Sequence, residues 1–101
     1  MRGLYILDEN RNVIPCTSIL EWGVFMQDDA HRNVAVHCFG KATLSTVFLG
    51  LDHSLFRGTP QVFETAILDD ERVIVIDRYS TWADAEAGHA GAVAALTKGE
   101  G

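Results

Sequence analysis

Two stretches of this chain are built to double back on themselves. Asn33 to Phe39 and Ala42 to Leu49 are rich in β-branched and aromatic residues, and only Gly40-Lys41 separates them. A two-residue connection of this kind fits a tight hairpin. Gln61 to Leu68 and Arg72 to Tyr79 repeat the arrangement about Asp69-Asp70-Glu71. Hairpins impose antiparallel pairing, so the centre of the fold is a mainly antiparallel sheet. Counting outward from Gly40-Lys41 sets His37 opposite Leu44, on the face of Phe39, Thr46 and Phe48. Val34, Val36, Cys38 and Val47 take the other face. Both faces are apolar, which predicts a central hairpin covered on both sides.

A third hairpin is expected at the N-terminus. Leu4 to Leu7 is a short apolar strand, Asp8 to Asn12 is rich in turn formers, and Val13-Ile14 resumes the extended run. Pro15 should end it, because proline cannot donate to a ladder. Ser18 with Glu21 makes a capping box, which opens a helix over Ile19 to Gln27. That helix is apolar around most of its circumference, so it is either buried or covers a partner. Asp28-Asp29 opposes the helix dipole and marks the end. Thr81 with Asp84 is a second capping box, and the Ala-rich run Trp82 to Thr97 follows as a helix, closed by Lys98-Gly99-Glu100-Gly101. Its apolar stripe is Trp82, Ala85, His89, Val93 and Leu96. The order β-β-α-β-β-β-β-α describes an α+β fold: a sheet of about four to six strands with two helices packed on it.

The chain has 101 residues, so residues 1–101 form one domain. Hydrophobic residues make up 48 % and charged residues 22 %, a balance that folds rather than staying disordered. The formal net charge is −6 and only Lys41 and Lys98 are lysines. Binding to a nucleic-acid backbone needs clustered cations, and none are clustered here. No run approaches the ~20 apolar residues of a membrane span. Cys16 and Cys38 have no CxxC or zinc-type spacing, so buried free thiols in a reducing cytoplasm are expected. No cofactor is implied: Gly40, Gly50 and Gly58 are isolated and make no phosphate cradle.

Chemistry-bearing side chains are few. Asp52-His53 stands where the apolar run Leu44 to Leu51 opens into an irregular loop. Glu64 interrupts a strand, and His89 lies on the apolar stripe of the last helix. Carboxylates and imidazoles are the groups of acid–base and metal-assisted hydrolysis, so these four could serve a small hydrolase if they converge. Each also has an ordinary structural role open to it. Asp52 can cap a turn, Glu64 can pair with Arg78 or Arg72 across the hairpin, and His89 can be a hydrogen-bonded core residue. Ser45 and Thr46 lack the elbow of a serine nucleophile. Cys38 and His37 are adjacent on a strand and point to opposite faces. Phe56 beside Arg57 in the loop is the type of pair that anchors protein interfaces.

Three blocks carry a resemblance. They are Ser45 to His53, then Pro60 with Phe63-Glu64-Thr65, then Arg78 to Trp82 with Glu86, Gly88 and His89. With Tyr5 to Asp8 and Leu20-Glu21-Trp22, they resemble small uncharacterised proteins encoded in bacteriophages and prophages. The similarity covers most of the chain, departing at Leu55 to Thr59 and Leu68 to Arg72. It implies a mobile-element origin and the host cytoplasm as workplace, and brings no catalytic role. The expectation is a non-enzymatic accessory protein that binds a protein partner such as a host or defence factor. The alternatives are the hydrolase of Asp52, His53, Glu64 and His89, and a virion or assembly component. A homodimer through an edge strand or the first helix fits either binding reading.

Overall fold

The computed structural model describes residues 3–54 and 58–97, and the helical backbone onward to residue 100. Phe56 and Arg57, the expected interface anchors, lie outside the described residues. The chain forms β1 (Leu4–Leu7), β2 (Val13–Cys16), α1 (Ile19–Met26), α2 (Asp29–Arg32), β3 (Asn33–Phe39), β4 (Ala42–Phe48), β5 (Phe63–Leu68), β6 (Val73–Tyr79) and α3 (Trp82–Glu100). β1 and β2 make a two-stranded sheet, and β3-β4-β5-β6 make a four-stranded antiparallel meander. The α+β class and the element order follow the sequence pattern. α2 is a single additional turn, nucleated by the Asp28 side chain accepting from His31 N.

Each hairpin is set by its turn. Phe39 pairs with Ala42, so Gly40-Lys41 is a two-residue loop, and Gly40 takes φ +60°. Asp69 Oδ1 accepts from Glu71 N and Arg72 N at 2.9 and 2.8 Å, which closes the β5–β6 turn. In the first hairpin Asp8 Oδ1 does the same for Asn10 N and Asn12 N. Arg11 there adopts φ +66°, a left-handed conformation that costs roughly 1 kcal/mol outside glycine. Its guanidinium lies 4.4 Å from the Trp82 ring centroid, and that cation–π contact offsets the strain.

Pro15 does not end β2 but sits within it, opposite Tyr5. The Tyr5 N–H is directed away from β2, to Gly50 O at 2.9 Å, so this is a pair that exchanges no hydrogen bonds and the missing proline donor costs nothing. α3 likewise runs past Thr97, through Gly99 to Glu100. One glycine costs about 1 kcal/mol in a helix, too little to end one already propagated over several turns.

α3 packs across all four strands of the meander. Its side of the sheet carries Leu44, Thr46 and Phe48 of β4 opposite Ile67, Thr65 and Phe63 of β5. The core lies at one end of this layer, where Phe48, Phe63, Val62, Ala85 and Leu7 are buried. The rings of Phe48 and Phe63 meet edge-on at 5.2 Å, and Phe25 and Trp82 extend the cluster on either side. Burying each phenylalanine contributes about 2–3 kcal/mol. Arg32 fastens α1 and α2 to this end, donating to Phe48 O and Met26 O at 3.2 and 3.0 Å.

Among the described residues the central hairpin is covered on one side only. α3 takes the Leu44–Thr46–Phe48 side, and α1 touches β1 and β2 instead of the opposite face. A register shift between Asn33 and Ala35 also moves Val34 off the open face and against the core. A bulge re-aims the residues on either side of it, which alternation alone cannot foresee.

Candidate functional site

The four polar residues singled out by sequence do not form one constellation. Asp52 Oδ1 accepts from Ser54 N and Gln61 N at 2.8 and 2.9 Å, closing the mouth of the loop. His53 is exposed, and its backbone N–H donates to Gln61 O. Glu64 pairs with Arg78, its cross-strand neighbour, at 3.1 Å. Thr65, the next residue, faces α3, so Glu64 faces the open side and is separated from His89 by the sheet itself. Among the described residues no group of three or more His, Cys, Asp or Glu side chains could hold a metal ion.

The structure does bring three other groups together. His89 Nδ1 lies 2.7 Å from Thr46 Oγ1, which lies 2.6 Å from Thr65 Oγ1. Both threonines are 0 % exposed and His89 is 6 % exposed. Burial holds the His89 imidazole below its ordinary pKa, and His37 on the neighbouring strand adds to the effect. A hydroxyl beside an imidazole is the beginning of an activated nucleophile. Here a substrate would have no access to it, so the group serves as a polar pin between α3, β4 and β5. Thr46 and Thr65 lie directly opposite in register, and sequence reasoning identified His89 as inward-facing without identifying its partners.

The open face of the meander is the candidate site. Val36 of β3, Leu68 of β5, and Val73 and Val75 of β6 stand on it or at its margin, and Val36 and Val73 are 52 % and 64 % exposed. Thr43, Ser45, Val47 and Ala66 fill its centre, and the Glu64–Arg78 pair is set among them. Cys38 is an exposed free thiol on the same face, and Cys16 is buried and free, its thiol donating to Ser18 O. Exposed apolar side chains rimming a shallow face are a surface of the kind that serves in interactions. α1 adds a second exposed apolar stripe of Ile19, Leu20 and Val24, while Trp22, Phe25 and Met26 turn inward. The unbroken run Val73-Ile74-Val75-Ile76 was the sequence signal for an element apolar on both faces.

A cleft of about 720 Å³ lies between the first hairpin and the start of α3, with Arg11, Asn12, Thr81 and Trp82 among its walls. The Arg11 guanidinium already occupies one face of the indole there. Among the described residues no helix is long and apolar enough to cross a membrane. Comparison with protein-family models, with curated proteins and with solved structures found no match to this chain.

Proposed function

We propose that this chain is a non-enzymatic binding protein, and that the open face of the four-stranded sheet docks a protein partner. The observation that carries the reading is the exposure of Val36, Leu68, Val73 and Val75 around a shallow centre of small side chains. A sheet face of that make-up loses free energy when water leaves it. The commitment of Asp52, Glu64 and His89 to internal hydrogen bonds and ion pairing supports binding over catalysis. The resemblance of its sequence blocks to small uncharacterised phage- and prophage-encoded proteins supports a bacterial host protein as the partner.

Capture from host extract tests this when variants are run beside the parent chain. A partner retained by the parent and by Leu20→Lys, but lost by Val36→Lys, places binding on the open face. With the purified partner, calorimetry should then give a negative heat-capacity change, the mark of apolar burial. Capture unaffected by Val36→Lys, or abolished only by Leu20→Lys, would refute the sheet face as the docking surface.

A further inference from the structure

β6 is an edge strand, so one side of its backbone faces solvent with its N–H and C=O groups unpaired by the sheet. Natural edges are usually blunted by lysine, proline, a bulge or an inward charge. Here the run Val73-Ile74-Val75 has none of these, and the strand's one shift and its α3-side charge, Ile76 and Asp77, come only after it. Val73 and Ile74 are 64 % and 46 % exposed although they point to opposite sides of the sheet, so α3, which meets β6 near Tyr79, leaves the Val73 end of the strand uncovered. β3, the other edge, is broken by its shift at Val34 and carries Asn33 and His37.

We propose that β6 pairs antiparallel with β6 of a second copy about a two-fold axis through Ile74. The register shift in β6 selects this arrangement. Val75 pairs with Ala66 and Asp77 with Thr65, so Ile76 is an extra residue and the strand changes phase after Val75. Asp77 therefore shares the α3 side with Ile74, and with Arg72 by alternation. With Ile74 opposite its own copy, Val73 falls opposite Val75, and Arg72 falls opposite Asp77. The two-fold axis repeats each contact, so both ends of the ladder close on a guanidinium–carboxylate pair. Without the extra residue Arg72 would meet an isoleucine. The charge complementarity is what makes a second copy, and not an unrelated strand, the occupant.

The two-fold axis is perpendicular to the sheet, so both open faces end up on the same side. With strands about 4.8 Å apart and about 3.3 Å per residue, one meander offers roughly 440 Å² in plan. That is about half of the ~800 Å² per partner of a standard interface. Joining two meanders at β6 supplies the full extent as one surface. The dimer itself does not depend on what that surface binds, and it is tested with the purified chain alone.

Sedimentation equilibrium of the full chain should show a concentration-dependent dimer. Arg72→Asp and Asp77→Arg should each weaken it about tenfold or more, because each turns two attractive contacts repulsive. The double variant carrying both reversals should recover the parent association. Both side chains are exposed, and Arg72 also lies 4.0 Å from Asp69 within its own chain, so circular dichroism checks that each variant keeps the fold. A monomer at all concentrations overturns the proposal. So does a dimer indifferent to both reversals, and a dimer that Val36→Lys dissociates, which would be built face to face.

Discussion

Gly88 of α3 lies flat against the ring of Tyr79, so that a Cβ placed there would come within 2.3 Å of Tyr79 Cε1. The missing side chain is what allows α3 to settle on β6. Alanine would gain about 1 kcal/mol of helix propensity, but overpacking costs typically 1–3 kcal/mol. Gly88→Ala should therefore lower stability by up to about 2 kcal/mol in urea unfolding. Gly91, where an added Cβ would meet open space, is the control. Gly91→Ala should stabilise by up to about 1 kcal/mol.

Thr46→Val keeps the shape of the residue under α3 and deletes the central hydroxyl of the buried chain. Thr65 and His89 then each lose a partner in a site closed to water. Leaving a buried polar group unsatisfied costs about 1–3 kcal/mol. A loss in that range, read from the denaturation midpoint at an unchanged slope, is the expected result. Replacing Thr46 and Thr65 together by valine should cost less than the sum of the single changes, because the two hydroxyls satisfy one another.

Stability should fall in mild acid. The folded state holds His89 below its ordinary value of 6.5. As the pH falls, the unfolded chain takes up that proton first, so the unfolded state is favoured. The contribution is constant well above pH 6.5 and is lost progressively below it, by at most about 1.4 kcal/mol per pH unit for one proton. His37, Asp77 and Tyr79 are the titratable groups on the strand faces beneath α3, of which the phenol stays neutral throughout this range, and Glu86 lies one turn before His89 on the helix. Replacing His89 by glutamine should flatten the profile between pH 5 and 7 relative to the parent. An unchanged slope would assign the acid sensitivity to the other groups.

Gly50→Ala should be among the most damaging single substitutions. The residue has φ +74°, and a Cβ there would lie 2.6 Å from Met26 Sδ and 2.9 Å from Trp22 Nε1. Left-handed strain of about 1–2 kcal/mol adds to a packing conflict of about 1–3 kcal/mol. The expected loss is about 2–5 kcal/mol, with a changed near-ultraviolet signal from Trp22. A native signal and native stability would show that α1 can shift to accommodate the methyl group.

The fold was legible where local chemistry decides the outcome. Gly40-Lys41 specified a two-residue turn, and the register that follows from it, His37 opposite Leu44, is the register observed. Ser18 and Thr81 both cap the helices that their spacing marked. What escaped the sequence depends on events at a distance. Pro15 is tolerated in β2 because Tyr5 N bonds to Gly50, a residue far along the chain. The apolar first helix was expected to be buried or to cover a partner. Its inner side meets the core, and its outer stripe is left in solvent.

The site was legible in part. Helical spacing showed that His89 faces the sheet, and cross-strand pairing that Arg78 was a partner available to Glu64. It could not show that Thr46 and Thr65 stand beneath His89, since that depends on where α3 crosses the strands. The shifts at Val34 and Ile76 were equally hidden, because nothing in either strand's composition fixes where an extra residue is absorbed. The open face is therefore a tertiary property: the same valines would form a core had a second helix crossed them.

The carbonyl of Gly50 accepts from two directions, the amide of Tyr5 at 2.9 Å and the indole N–H of Trp22 at 3.0 Å. One oxygen atom thus ties both the first hairpin and α1 to the end of β4. These two hydrogens belong to different elements, but they are shielded by a single latch. Whatever releases that latch exposes them together. In hydrogen exchange they should report one shared opening, at a free energy below that of the strands of the meander, so that residues 4–26 come away from the sheet as a unit before the sheet itself unravels.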